Sequence, residues 1–149
     1  MTIDPYDEEA IKPEDTVIRR INPEWHVIWD GNRQRHRIAS KAYNKSSFGL
    51  KEGMSVDIES LIVDAGEDPH TYVTTPVFTG SVALPAGKVR ALDLLVGYEP
   101  IKDVPNVQDN PHHGEVWAKT ERKSFSEAQK SGLAKAARWY VELPDVDIV

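Results

Sequence analysis

The sequence predicts a single α+β domain, a twisted and mainly antiparallel sheet with a C-terminal amphipathic helix packed across one face. Three observations predict it. Short runs rich in Val, Ile, Thr, Tyr and Trp recur along the chain, separated by Asn, Asp, Gly and Pro. One long helical stripe stands near the C-terminus, over residues 124–141. A length of 149 residues suits one domain with a real core.

The elements follow in order. Residues 1–15 carry Asp4, Asp7, Glu8, Glu9, Glu14 and Asp15 against Lys12, with Pro5 and Pro13, and predict a loose acidic arm. It would fold back on a basic stretch or dock on a partner. Residues 16–21 are β-branched and predict a strand, broken by Asn22-Pro23. Residues 25–29 (WHVIW) predict a second strand, with Trp25, Val27 and Trp29 on one face. Alternating tryptophans favour a core position, with an exposed partner surface as the rival reading. Asp30-Gly31-Asn32 is a turn. In the extended run that follows, Arg33, Arg35 and Arg37 share one face, and Gln34, His36 and Ile38 share the other.

Residues 44–53 read as a loop. A helix is expected over 58–65, capped by Asp57 or Ser55, stopped by Gly66, with Ile58, Leu61, Ile62 and Ala65 as its apolar face. Residues 71–84 predict one or two strands, interrupted at Pro76 and Gly80. Residues 89–98 predict a further, central strand, with a short helix as the competing assignment. Residues 100–111 form a loop, and 115–120 return to strand. Ser124 and Glu127 stand in capping-box spacing at the head of the long helix, and Pro144 follows it. Residues 145–149 form an acidic tail, which leaves 16–144 as the predicted domain.

Composition bounds the function. The chain is 40% apolar and 28% charged, ordinary for a globular protein. No run approaches the roughly 18 to 20 apolar residues of a membrane span, and the acidic N-terminus does not read as a secretory signal. Cysteine is absent, which excludes disulfides, thiolate catalysis and Cys-ligated zinc and fits a cytoplasmic address. The net charge of −6 hides a split. Residues 19–51 hold eight Arg or Lys against Glu24 and Asp30, so that stretch is +6 and the remainder −12. Such asymmetry predicts a basic patch facing an anion, or facing acidic groups of the same fold.

Two patches could carry chemistry. In the first, guanidinium forks at Arg33, Arg35 and Arg37, with Ser40, Lys41 and the Ser55 hydroxyl, suit phosphates or carboxylates. A charge-guarded edge strand is the structural alternative. In the second, Pro111-His112-His113-Gly114-Glu115, His113 and Glu115 share a strand face and can pair an imidazole with a carboxylate for acid–base work. No third metal ligand is identifiable, and neither a metal nor a cofactor is expected. There is no Gly-rich phosphate loop and no paired acidic metal signature.

Four short motifs, Arg19-Arg20-Ile21-Asn22-Pro23-Glu24-Trp25, Ser40-Lys41-Ala42-Tyr43, Gly53-Met54-Ser55-Val56 and Pro111-His112-His113-Gly114-Glu115-Val116, span about 100 residues. In them the chain resembles uncharacterised small bacterial proteins. The resemblance implies a bacterial, cytoplasmic, one-domain protein and brings no activity with it. The resulting expectation is a small cytoplasmic accessory or interaction protein, part of a multigene bacterial system, that binds a protein partner through the central basic strip. The alternative is a phosphate-handling enzyme acting on a nucleotide or RNA, or transferring ADP-ribose, with His113 and Glu115 as its acid–base pair. Net acidity argues against strong nonspecific nucleic-acid binding.

Overall fold

The structure, a computed structural model, describes residues 4–44, 53–119 and 124–148. Its elements run β1 (Thr16–Ile21), β2 (Val27–Asp30), β3 (Arg35–Ile38), a 3-10 turn (Ser40–Tyr43), β4 (Met54–Ile58), α1 (Glu59–Asp64), α2 (Pro69–Tyr72), β5 (Gly80–Pro85), α3 (Ala86–Arg90), β6 (Leu94–Tyr98), β7 (His113–Ala118), α4 (Glu127–Ala136), β8 (Arg138–Val141) and β9 (Val146–Asp147). Six strands form one antiparallel sheet in the order β6-β7-β4-β1-β5-β8. A smaller sheet has the order β2-β3-β9, with β9 parallel to β3. The α+β class and the C-terminal helix stand as expected.

Alternation sorts the large sheet into two faces. Val17, Ile21, Met54, Val56, Ile58, Val82, Leu84, Val96 and Val116 join the main core, which Leu133 and Ala136 of α4 cover. On the opposite face Ile18 packs with Ile62 of α1 and with Val73. No helix among the described residues is long and apolar enough to cross a membrane.

Several expectations are corrected. Residues 4–15, expected as a loose arm, pack on the domain. Ile11 is fully buried in the main core, and burying such a side chain is worth roughly 1.5–3 kcal/mol. The Glu8 amide donates to the Val96 carbonyl, and Asp7 accepts from the Val96 amide and pairs with Arg90 at 2.9 Å. The strand expected from residue 25 begins at Val27. Trp25 sits in a turn built by Asn22, whose side-chain oxygen accepts from the amides of Glu24 and Trp25. Trp25 and Trp29 are each 55% exposed, so neither is core.

Ser55 and Asp57 belong to β4 and neither caps α1, whose N-cap is Ile58 with no side-chain bond. Gly66, at φ +81°, ends it as expected. Thr71 and Tyr72 are helical rather than extended. Residues 89–98 divide between α3, which ends at Arg90, and β6, which starts at Leu94 after a turn through Asp93 (φ 66°), and β6 is an edge strand rather than a central one. The long helix is shorter than its stripe. Its capping box is Ser126 with Gln129, and after Ala137 the run Arg138–Val141 pairs with β5. Aromatic and β-branched side chains gain more as an edge strand there than as a last helical turn. The acidic tail turns at Asp145 (φ 62°) and supplies β9, so residues 145–148 are part of the fold. The loop expected at 44–53 and the end of the strand expected at Thr120 lie mostly outside the described residues.

Candidate functional site

Three adjacent strands build a polar patch on the face away from the main core. Ser55 of β4 and Gly97 of β6 flank Glu115 of β7. One step along, Asp57 of β4 flanks His113, and Glu99, just past β6, flanks it on the other side through a Glu99 amide bond to the His113 carbonyl. One step the other way stands Trp117, opposite Leu95. The two residues singled out by alternation, His113 and Glu115, therefore do share a face, and the register brings Ser55 to them.

The hydrogen bonding sets the protonation. His113 Nδ1 lies 2.6 Å from the Glu99 carbonyl oxygen, which can only accept. The proton is thus on Nδ1, and Nε2 presents its lone pair. Burial lowers the His113 pKa, so the ring is neutral near pH 7. Its Nε2 is 3.5 Å from Glu115 Oε2, too long for a strong hydrogen bond. Glu115 is fully buried. Burial, and next the charge of Glu99, push its carboxyl up to about 8, while the Ser55 hydroxyl and Arg19 pull the other way. Burial also lifts Glu99 to about 7. An imidazole acceptor with a fixed tautomer therefore stands beside a carboxyl that titrates near neutrality, with the Glu99 carboxyl acting on that one in turn, an arrangement suited to accepting and returning a proton.

Neighbours hold the patch in place. Asp57 accepts from Arg20 Nε and Nη2 at 2.8 and 3.0 Å and from Asn110 Nδ2 at 2.8 Å. Asn110 in turn accepts from the Tyr72 hydroxyl. Arg19 is buried on the core side, donating to the carbonyls of Ala42 and Ser55. Desolvation lowers its pKa to about 10, so it keeps its charge. Gly53 and Gly97 are required by close approach: a Cβ at Gly53 would stand 2.8 Å from Trp117 Nε1, and one at Gly97 2.9 Å from the Tyr6 ring. His112 turns elsewhere, to Glu67 at 3.3 Å and the Tyr72 ring.

The basic strip lies in the other sheet. Arg35 pairs with Asp147 at 3.1 Å, Arg33 approaches the same carboxylate at 3.9 Å, and Arg37 pairs with Asp30 at 3.2 Å. Ser40 and Lys41 open the exposed end of the 3-10 turn. Among the described residues no hydrogen bond or ion pair joins these side chains to His113 or Glu115, so the two patches are separate. Lys45 and Lys51 of the same basic stretch lie outside the described residues. Among the described residues no group of three His, Asp or Glu side chains could hold a metal ion. Of the other histidines, His26 is buried, accepts from the Asn22 amide and is held near 4 by burial, a structural role.

Sequence reasoning missed Glu99 and Trp117. Alternation from Leu95 through Gly97 would have placed Glu99 on a strand face, but only the β6–β7 register puts it beside His113. Comparison with protein-family models, characterised proteins and solved structures returns no match for this chain.

Proposed function

We propose that the chain is an interaction protein that docks a partner on the β2–β3 hairpin, in the bacterial cytoplasmic setting its motifs suggest. The observation that carries this reading is the exposure of Trp25 and Trp29, 55% each. Leaving an aromatic in water forgoes stability of roughly 1.5–3 kcal/mol, and tryptophan and arginine are the residues that most often anchor interfaces. Trp29 stands edge-on to His36 at 5.1 Å, and Trp25 to Phe78 at 6.0 Å, beside exposed Val77. Arg33 and Arg35, each about half exposed, share the single carboxylate of Asp147. The fitting partner surface has an apolar recess with carboxylates at its rim.

Native mass spectrometry after gentle capture from the host lysate tests this. A stoichiometric partner is expected with the unmodified chain, and its loss is expected for Trp29→Ala and for Arg35→Glu. Retention of the same partner by both variants would overturn the reading.

A second reading is acid–base chemistry at His113 and Glu115, favoured by the fixed tautomer facing a carboxyl that titrates near neutrality. Phosphodiester chemistry suits the patch poorly, because the β3 arginines are elsewhere and two carboxyls repel a phosphate.

A further inference from the structure

The patch on β6 and β7 contains more buried polar atoms than its own contacts satisfy. Glu99 is 3% exposed, His113 4% and Trp117 1%. Both Glu99 carboxyl oxygens, His113 Nε2 and Trp117 Nε1 have no hydrogen-bond partner among the described residues. Native proteins rarely leave such atoms without a partner. His113 Nε2 lies 3.5 Å from Glu115 Oε2, a Cβ at Gly53 would meet both Trp117 Nε1 and Glu115 Oε1, and the Glu99 charge acts on Glu115, so these groups lie around one carboxyl.

We propose that this patch is a binding site for a small organic cation, a guanidinium or ammonium group on a compact aliphatic body. The site presents acceptors on Glu99, Glu115 and His113 Nε2, against one indole donor, so its complement is rich in donors and positively charged. The Trp117 ring adds a face that attracts cations. An organic cation fits better than a bare metal ion, because no three carboxylates or imidazoles among the described residues come close enough to ligate one. The ligand is small, because the groups that would hold it are almost wholly buried. Tyr6 packs over this patch, against Gly97 and with its ring 6.0 Å from that of Trp117. The proposal does not depend on any proton transfer being catalysed there.

The electrostatics agree. Burial holds Glu99 at about 7 and Glu115 at about 8. A bound cation lowers both, so binding releases protons and tightens from pH 6 to pH 8. The other charged groups facing the patch are Arg20 of β1 and Asp57 of β4, paired with each other, while Arg19 of β1 acts on Glu115 from the core side of the sheet. Burial lowers the His113 pKa, which favours the neutral ring.

Isothermal titration at pH 8 with n-butylguanidinium and n-butylammonium is the test, with n-butanol and inorganic phosphate as controls. The expected result is saturable binding of a cation and none of either control. Glu99→Gln, which keeps the side-chain shape, is expected to weaken that binding about tenfold to a hundredfold. A readout independent of that variant's folding is the Trp117 indole N–H resonance of the unmodified protein, assigned by its absence in Trp117→Phe, which is expected to shift as the cation is added. The proposal is overturned if neither cation binds at millimolar concentration, if phosphate or butanol binds as well as the cations do, or if the indole resonance stays still at saturation.

Discussion

Glu115 sits mid-strand with no exposed surface, next to an imidazole that carries no charge to offset its own. Its carboxyl ionises near 4.5 in the unfolded chain and near 8 in the folded one. Below pH 4.5 both states hold the proton, and the stability tied to this group is fully present. Between 4.5 and 8 the unfolded state ionises first, so stability falls as pH rises, and above about 8 the loss levels off. A separation of this size corresponds to a loss on the order of 5 kcal/mol. Glu115→Gln, which cannot ionise, is expected to be close to neutral for stability at pH 5 and stabilising at pH 8. Urea unfolding at the two pH values measures this; equal effects at both would show that Glu115 carries no such load. Half of this site was legible in the sequence, because His113 and Glu115 are two residues apart and a strand alternates. Glu99 and Trp117 complete it through pairing between strands, which no local pattern records.

At the scale of elements, β6 is an edge strand, and the arm spares it an open edge. The Val96 amide is taken by Asp7 and its carbonyl by the Glu8 amide, while the Tyr98 amide donates to the Tyr6 hydroxyl. Asp7 also holds Arg90 of α3, so one carboxylate ties the arm to a helix and a strand at once. Asp7→Ala is expected to cost about 1 kcal/mol, since the side chain is partly exposed. Hydrogen exchange at the Val96 and Tyr98 amides is expected to quicken before that of β7. Unchanged protection there would mean that Tyr6 and Ile11 hold the arm without Asp7. The acidity of residues 4–15 hid this role. Tyr6 and Ile11, two apolar residues in an acidic run, are the anchors, and composition averages them away. The same averaging extended the C-terminal helix through Arg138–Val141, whose apolar residues serve a strand face instead.

For the whole molecule, the split of charge along the sequence resolves into contacts made by the fold. The basic stretch meets acidic groups from far along the chain: Arg20 meets Asp57, and Arg33 and Arg35 meet Asp147. The asymmetry was legible, and acidic groups of the same fold were one of its two predicted complements. Which acids those are depends on β9 adding to β3, and two residues of strand signal in a tail are too few to read. The β2–β3 end of the molecule is consequently only partly neutralised, with two half-exposed guanidiniums on one carboxylate. Asp147→Asn removes that carboxylate's charge and leaves the β9 backbone bonds in place. Its cost in stability is expected to stay within about 1 kcal/mol, as for other exposed pairs. Its effect on association is expected to be larger, because freed guanidiniums steer an acidic partner at long range. Stopped-flow association with the captured partner should therefore quicken in the variant at low salt and converge with the unmodified protein at high salt. Slower association at low salt would mean that the partner presents a basic surface, and would move the docking site away from Arg33 and Arg35 toward the tryptophans alone.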